Sequence, residues 1–216
     1  MRKKLVIWGA SGHARVVIDI IQLGSTYEIV GMLDDVNSSR AGSEFAGHRI
    51  IGGREQLARL RASGVNACIL AFGDCFARLQ LGEIACQHGF SLARAIHPRA
   101  IVAGDATIGG GSVIAAGVVI NPVAQIGENV IVNTCASVDH DCVIDDGAHI
   151  APGAHLAARV HVGRGSWVGI GSVVKEGTRI GKATVIGAGS LVLNDIPDDA
   201  LAYGSPARLV RSPSHG

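Results

Sequence analysis

The sequence predicts a small parallel α/β domain over residues 1–95 followed by a parallel β-helix over residues 96–216. Three observations carry this reading. Strand-like and helix-like segments alternate through the first ninety-odd residues, each strand ending in a Gly- or Asp-rich turn. From Ile96 to Val192 every sixth residue is aliphatic without a slip. Between those aliphatics, small residues and turn formers recur at fixed places in each hexad.

The amino-terminal elements follow in order. Lys4 to Trp8 is a β-branched run that stops at Gly9-Ala10-Ser11-Gly12-His13; Ala14 to Leu23 is apolar at helical spacing; Glu28 to Leu33 is a second strand, ending in Asp34-Asp35. This is a βαβ unit. A further strand, Ala67 to Phe72, stops at Gly73-Asp74 and precedes a helix from Phe76 to His88. Such alternation gives a parallel sheet of the doubly wound, Rossmann-like type, with its ligand at the carboxyl ends of the strands. Those ends carry Ser11, Gly12, His13, Asp34, Asp35 and Gly73. The Gly9–Gly12 turn is shorter than the G-x-G-x-x-G fingerprint and, alone, is also compatible with a plain strand-to-helix connection. It does present free N–H groups and a positive dipole end to a phosphate. Asp34 stands where an acid commonly binds a ribose hydroxyl, so the two features together point to a nucleotide. NAD is disfavoured because the third glycine and a second dinucleotide half are missing.

In the second region the sixth-residue series runs through Ile96, Val102, Ile108, Ile114, Ile120, Ile126, Val132, Val138, Ile144, Ile150, Leu156, Val162, Val168, Val174, Ile180, Ile186 and Val192. A period of six fits neither a helix nor one long strand, so each unit is a short strand and a turn. The fifth place of each hexad, with the aliphatic counted as the first, is mostly small or β-branched (Ala124, Ala136, Cys142, Ser166, Thr184), as the narrowing corners of a prism require. The second place is rich in Gly, Asn and Asp (Gly109, Asn121, Asp139, Gly163), which reads as the corner itself. Three hexads close one triangular turn, so residues eighteen apart stack and the run holds between five and six coils.

Bulk properties exclude several classes. The chain has 216 residues, 48% of them hydrophobic, enough for one or two cores. A net charge of +1 with both signs interspersed argues against a nucleic-acid or membrane-surface partner. The basic start before Leu5–Trp8 is cut by Gly9, too short for a signal peptide or a membrane span, so a cytoplasmic protein is expected. Five cysteines without a CxxC pair indicate reduced thiols.

Two motifs give the chain a family likeness: G-A-S-G-H at residues 9–13 and V-D-H-D-C at 138–142, supported by Leu33-Asp34-Asp35, Phe72-Gly73-Asp74 and Gly204-Ser205-Pro206-Ala207. Over nearly its whole length it resembles the bacterial nucleotide-sugar acetyltransferases of the PglD and NeuD type, within the hexapeptide-repeat acyltransferases. The resemblance implies a left-handed β-helix, a homotrimer with sites between subunits, and acetyl-CoA as co-substrate. It also implies acetylation of an amino group on a UDP- or GDP-linked sugar, with a sugar hydroxyl as the alternative acceptor. By the same likeness Ser11, Gly12, His13, Asp34, Asp35 and Gly73 hold the nucleotide sugar, and Asn133 lies near the reacting group. His140 would be the general base, a role that an imidazole of pKa ~6.5 suits near neutral pH. Asp141 is expected to bond the imidazole, Asp139 being the competing candidate. His149, Ile170, Gly187 and Ala188 would line the acetyl-CoA site, His149 near the thioester carbonyl.

Two other classes were weighed. A zinc lyase on the same kind of trimeric β-helix needs histidines from stacked coils, yet among His97, His140, His149, His155 and His161 no pair is eighteen or thirty-six apart; no metal is expected. A non-catalytic nucleotide-binding trimer would keep Gly12 and Asp34 but has no use for His140 beside Asp141.

Overall fold

The first strand, β1 (Lys3–Trp8), is followed by α1 (Gly12–Leu23), β2 (Tyr27–Leu33), β3 (Glu44–Phe45), β4 (His48–Gly52), α2 (Leu57–Ala62), β5 (Ala67–Leu70), α3 (Cys75–Gln87), β6 (Ser91–Leu92) and β7 (Ala95–Ile96) in this computed structural model, which describes residues 2–211. The sheet order is β3-β4-β2-β1-β5-β6, parallel except for the antiparallel β3–β4 hairpin. β1 thus has β2 on one side and β5 on the other, which makes its carboxyl end the point where the strand order reverses. Parallel sheets of this kind bind ligands in the crevice formed there. The apolar runs that predicted β1 and β5 are buried throughout Leu5–Trp8 and Ala67–Leu70, as central parallel strands demand. Val6, Trp8, Leu33, Leu57, Leu60, Leu70 and Phe90 pack as one cluster on the sheet.

The chain divides into two compact units between Pro98 and Arg99. In the second unit, two-residue strands stack in parallel into a triangular β-helix. One face is built from Val113–Ile114, Ile131–Val132, His149–Ile150, Trp167–Val168 and Val185–Ile186, a second from Ile101–Val102, Val119–Ile120, Ser137–Val138, His155–Leu156, Val173–Val174 and Leu191–Val192. The third is Thr107–Ile108, Gln125–Ile126, Val143–Ile144, His161–Val162 and Arg179–Ile180. The registers pair residues eighteen apart, such as Ser137 with His155 and His149 with Trp167. Leu201–Gly204 extends the first face and turns through Ser205-Pro206 into an antiparallel strand, Ala207–Arg211.

The aliphatic series is the core, and Ile114 through Val192 are all buried. Its earliest members differ: Val102 and Ile108 are half-buried, and Ile96, on the amino-terminal side of the division, is 41% exposed. Inward serines at the fifth place are satisfied by the next coil: Ser166 Oγ donates to the Gly181 carbonyl and accepts from the Thr184 N–H.

The second-place reading needs correction. The residue at the left-handed backbone conformation is the fourth of each hexad, where φ is positive at every position from Gly111 to Gly189, including Val123, Cys135, Asp141 and Arg159. Glycine leads there because it bears no Cβ penalty. The second-place glycines have another cause, close stacking: a Cβ on Gly163 would meet the Lys182 backbone nitrogen at 2.5 Å.

Candidate functional site

The carboxyl end of β1 opens on a cavity of about 470 Å³, walled by Trp8, Phe72, Ala77 and Leu81 and rimmed by Ser11, Asp34, Asp35, Asn37, Arg40 and Asp74. Gly9 lets the chain pass Phe72, since a Cβ there would lie 2.8 Å from the ring. Ser11 is the N-cap residue of α1 but makes no side-chain capping bond. A Cβ on Gly12 would meet nothing within 4 Å. The indole N–H of Trp8 is buried with no acceptor among the described residues, the kind of group a ligand satisfies.

Asp34 does not stand ready for a ribose in the way its position suggested. Its carboxylate is buried at 7% exposure; Oδ1 accepts from the N–H groups of Val36 and Asn37 at 3.0 and 3.3 Å, and Oδ2 from Arg40 Nη1 at 2.7 Å. Arg40 Nη1 also donates to the Ala10 carbonyl at 3.0 Å, and the guanidinium lies 5.5 Å from the centroid of Phe45. Asp34 therefore ties the 36–40 loop to the Gly-rich turn and shapes the cavity wall. Asp35 accepts from the Arg54 main chain and side chain at 2.7 and 2.9 Å. Asp74, whose role the sequence left open, caps α3 by accepting from Ala77 N–H at 2.8 Å.

His13 and Gly73 sit behind the rim. Burial, with the Arg78 charge adding, lowers the His13 pKa to about 4, so its ring is neutral at neutral pH and brings no charge to a phosphate. Arg78 is fully buried and donates to the carbonyls of Phe72 and Gly73 at 3.2 and 2.5 Å. Arg40 and Arg78 were not found from the sequence. An arginine on the inward side of a helix was the available signal for Arg78; Arg40 gave none, because it lies in a loop of no regular period whose return to Asp34, six residues back, and to Ala10, thirty back, only the fold shows.

In the β-helix, His140 occupies the corner between the second and third faces, with Asp141 next at φ 58°. This left-handed bend lets neighbouring side chains converge, which a straight strand forbids. His140 Nδ1 lies 2.7 Å from Asp141 Oδ2, both side chains about half exposed at 48% and 50%. A carboxylate only accepts, so Nδ1 carries the proton and Nε2 presents its lone pair outward. Asp139 does not contact the ring: its Oδ1 accepts from the His140 main-chain N–H at 2.8 Å and from Asn121 Nδ2 at 2.7 Å. These two bonds, the amide of Asn121 first, hold the Asp139 carboxyl below its ordinary pKa.

Asn133 and His149, sixteen positions apart, meet through Nδ2 and Nε2 at 3.2 Å. The amide nitrogen donates, so Nε2 of His149 accepts. His149 is buried instead of projecting freely, its ring centroid 4.0 Å from that of Trp167. Ile170 is an exposed turn residue and Ala188 is exposed, while Gly187 is required by Tyr203, whose Cβ would lie 2.6 Å from an added Cβ. Cys142 is buried and its thiol donates to the Ala157 carbonyl, a packing role. Among the described residues, no group of three or more His, Cys, Asp or Glu side chains could hold a metal ion, and no helix is long and apolar enough to cross a membrane.

Comparison with known proteins places this geometry. Residues 4–84 match the model of the PglD N-terminal domain, and residues 159–194 that of the bacterial transferase hexapeptide, six repeats. A histidine variant of the perosamine N-acetyltransferase from Caulobacter crescentus, solved with CoA and GDP-perosamine, is 38% identical over 97% of each chain, with a TM-score of 0.92. The chain belongs to the PglD-type nucleotide-sugar acetyltransferases. The acetyltransferase domain of PglB from Neisseria gonorrhoeae, in complex with acetyl coenzyme A, is 37% identical across 97% of this chain and 100% of that one, at a TM-score of 0.90. WeeI from Acinetobacter baumannii, at 22% identity, 96% and 100% coverage and a TM-score of 0.85, shares the fold. Membership in this acetyltransferase family gives the stacked coils their hand: they form a left-handed β-helix, an exception to the right-handed crossover rule.

Proposed function

We propose that the protein transfers the acetyl group of acetyl-CoA to the C4 amino group of a GDP- or UDP-linked amino sugar, with His140 as general base. It works in the cytoplasm as a homotrimer and supplies an acetylated nucleotide sugar for surface-glycan or glycoprotein biosynthesis.

The observation that carries this reading is the His140–Asp141 pair, which leaves Nε2 unprotonated and half exposed at a β-helix corner. The amine nitrogen attacks the thioester carbonyl carbon, Nε2 takes the ammonium proton as the N–C bond forms, and the C–S bond breaks, the imidazolium passing that proton to the departing sulfur so that CoA leaves as the thiol. Asp141 fixes the tautomer and stabilises the imidazolium. His149, buttressed by Asn133 and Trp167, would stand near the thioester and shape the channel wall there. Ile170, Gly187 and Ala188 would follow the pantetheine arm. The nucleotide is assigned to the β1 cavity, whose rim holds Ser11, Asp34 and Asp35, with Gly12 and His13 following Ser11 in the first turn of α1 and Gly73 following Phe72.

The relatives support the substrate class. The Caulobacter enzyme is named a perosamine N-acetyltransferase and was solved with CoA and GDP-perosamine, twice with a single histidine replaced. The Neisseria domain was solved with acetyl coenzyme A. Exposed Ile101, Ile170, Val173, Val185 and Leu193 on the coils support self-association, whereas Val113 and Ile131 are buried within the chain and add nothing to it.

Thiol release from acetyl-CoA, measured against GDP-, UDP- and dTDP-linked 4-amino sugars and their 4-hydroxy counterparts, tests the reading. Turnover is expected with a 4-amino sugar only. Turnover confined to the hydroxyl series would make it an O-acetyltransferase, and nucleotide binding without any turnover would make it a binding protein.

A further inference from the structure

The main-chain ladder of the β-helix is carried at its corners by the second- and fourth-place N–H groups. Second-place N–H groups donate to the next coil, as Asn121 does to Val138, and fourth-place N–H groups donate to the coil before, as Asp141 does to Pro122. At four third places the N–H turns to a side chain: Glu128 to Asp146, Thr134 to Asn133, Lys182 to Asp198 and His140 to Asp139. His140 is thus a residue whose peptide plane is set by a side chain and not by the ladder. At this corner the acceptor is itself held, because Asn121, one coil earlier, donates to the same Asp139 oxygen at 2.7 Å.

We propose that Asp139, braced by Asn121, is a positioning residue for His140 that acts through the main chain and complements the ring contact made by Asp141. The Asp139–His140 peptide plane determines where the His140 Cα–Cβ bond points, so the brace fixes the root of the side chain while Asp141 fixes its far end. Both constraints are needed for one orientation of Nε2: with Asp141 alone, imidazole and carboxylate can swing together on an exposed corner. Catalysis is sensitive to such freedom, since a misplacement of ~1 Å can lower a rate by about 100-fold. Asp139 also borders a groove of about 250 Å³ with Asn121, Ser137 and His155, so direct contact with substrate is the rival role.

The inference rests on His140 as the base, and the variants separate the two. Asp139→Ala is expected to lower kcat by roughly 10- to 100-fold with both KM values unchanged. Asp139→Asn, whose amide oxygen accepts both bonds, should restore most of that loss, and Asn121→Ala should fall between. NMR of ¹⁵N-histidine-labelled enzyme should show one Nδ1–H tautomer for His140 in the wild type and a mixture in Asp139→Ala. A kcat unchanged in Asp139→Ala, or a raised KM with kcat intact, overturns the positioning role. Should Asp139→Ala not fold, Asn121→Ala decides by the same kcat and tautomer readings. If His140→Ala is inactive while Asp139→Ala is unimpaired, only this inference fails; if His140→Ala is fully active, the reading of the site itself fails.

Discussion

At the scale of single residues, the proposed nucleotide site is probed at Gly12, where an added methyl group would meet no protein atom within 4 Å. Its φ is not in the left-handed region, so alanine is compatible with the backbone as well as the space. Gly12→Ala should therefore leave the melting temperature unchanged while weakening nucleotide-sugar binding about 10-fold, close to 1.4 kcal/mol, and sparing CoA. Calorimetry with each ligand checks this; equal loss of both would signal general damage. The family likeness of V-D-H-D-C pointed to His140, but the residues left Asp139 and Asp141 as rival partners, and only the bend at Asp141 brings one carboxylate to the ring. Nor did the residue types reveal what Asp34 does. Its ionic partner Arg40 is brought close by a loop whose path depends on the β3–β4 hairpin, and nothing in the composition of residues 36–52 announces that path.

At the scale of elements, α1 carries a buried neutral histidine in its first turn. Burial withdraws His13 from water and Arg78 adds a like charge, so its folded pKa of about 4 lies below the ordinary imidazole value of 6.5. As pH falls from 6.5 to 4 the unfolded chain takes up a proton that the folded chain refuses, and stability declines across that window by about 3 kcal/mol. Above it the contribution is fully present. A His13→Gln variant should lose less melting temperature between pH 7 and pH 4.5 than the wild type does; equal losses would place the titrating group elsewhere. Element identity was largely legible, since β1, α1, β2, β5, α3 and the hexads announce themselves by period. The fourth-place backbone conformation was legible too, in glycines such as Gly111, Gly117 and Gly147, but the second-place glycines drew the corner reading although they answer to coil stacking.

For the molecule as a whole, acetyl transfer is proposed to need a trimer. A single β-helix closes its own core, yet Ile101 remains 67% exposed and Val173 45% on one face. Covering such surface returns roughly 25 cal/mol per Å² of apolar area. Light scattering at working concentration should report three chains, and a monomer would remove the basis for a shared site. The overall architecture was read from periodicity, whereas its hand came from kinship, because a six-residue repeat is compatible with either coil. The central claim, that His140 is the base for acetyl transfer to a nucleotide-linked amine, is tested most directly by steady-state kinetics of His140→Ala. The account predicts a kcat lower by roughly 10²- to 10⁴-fold, with KM for both substrates and the melting temperature almost unchanged, since an exposed corner side chain contributes little packing. A variant retaining more than about a third of wild-type kcat, far above the loss expected for a missing base, would contradict it.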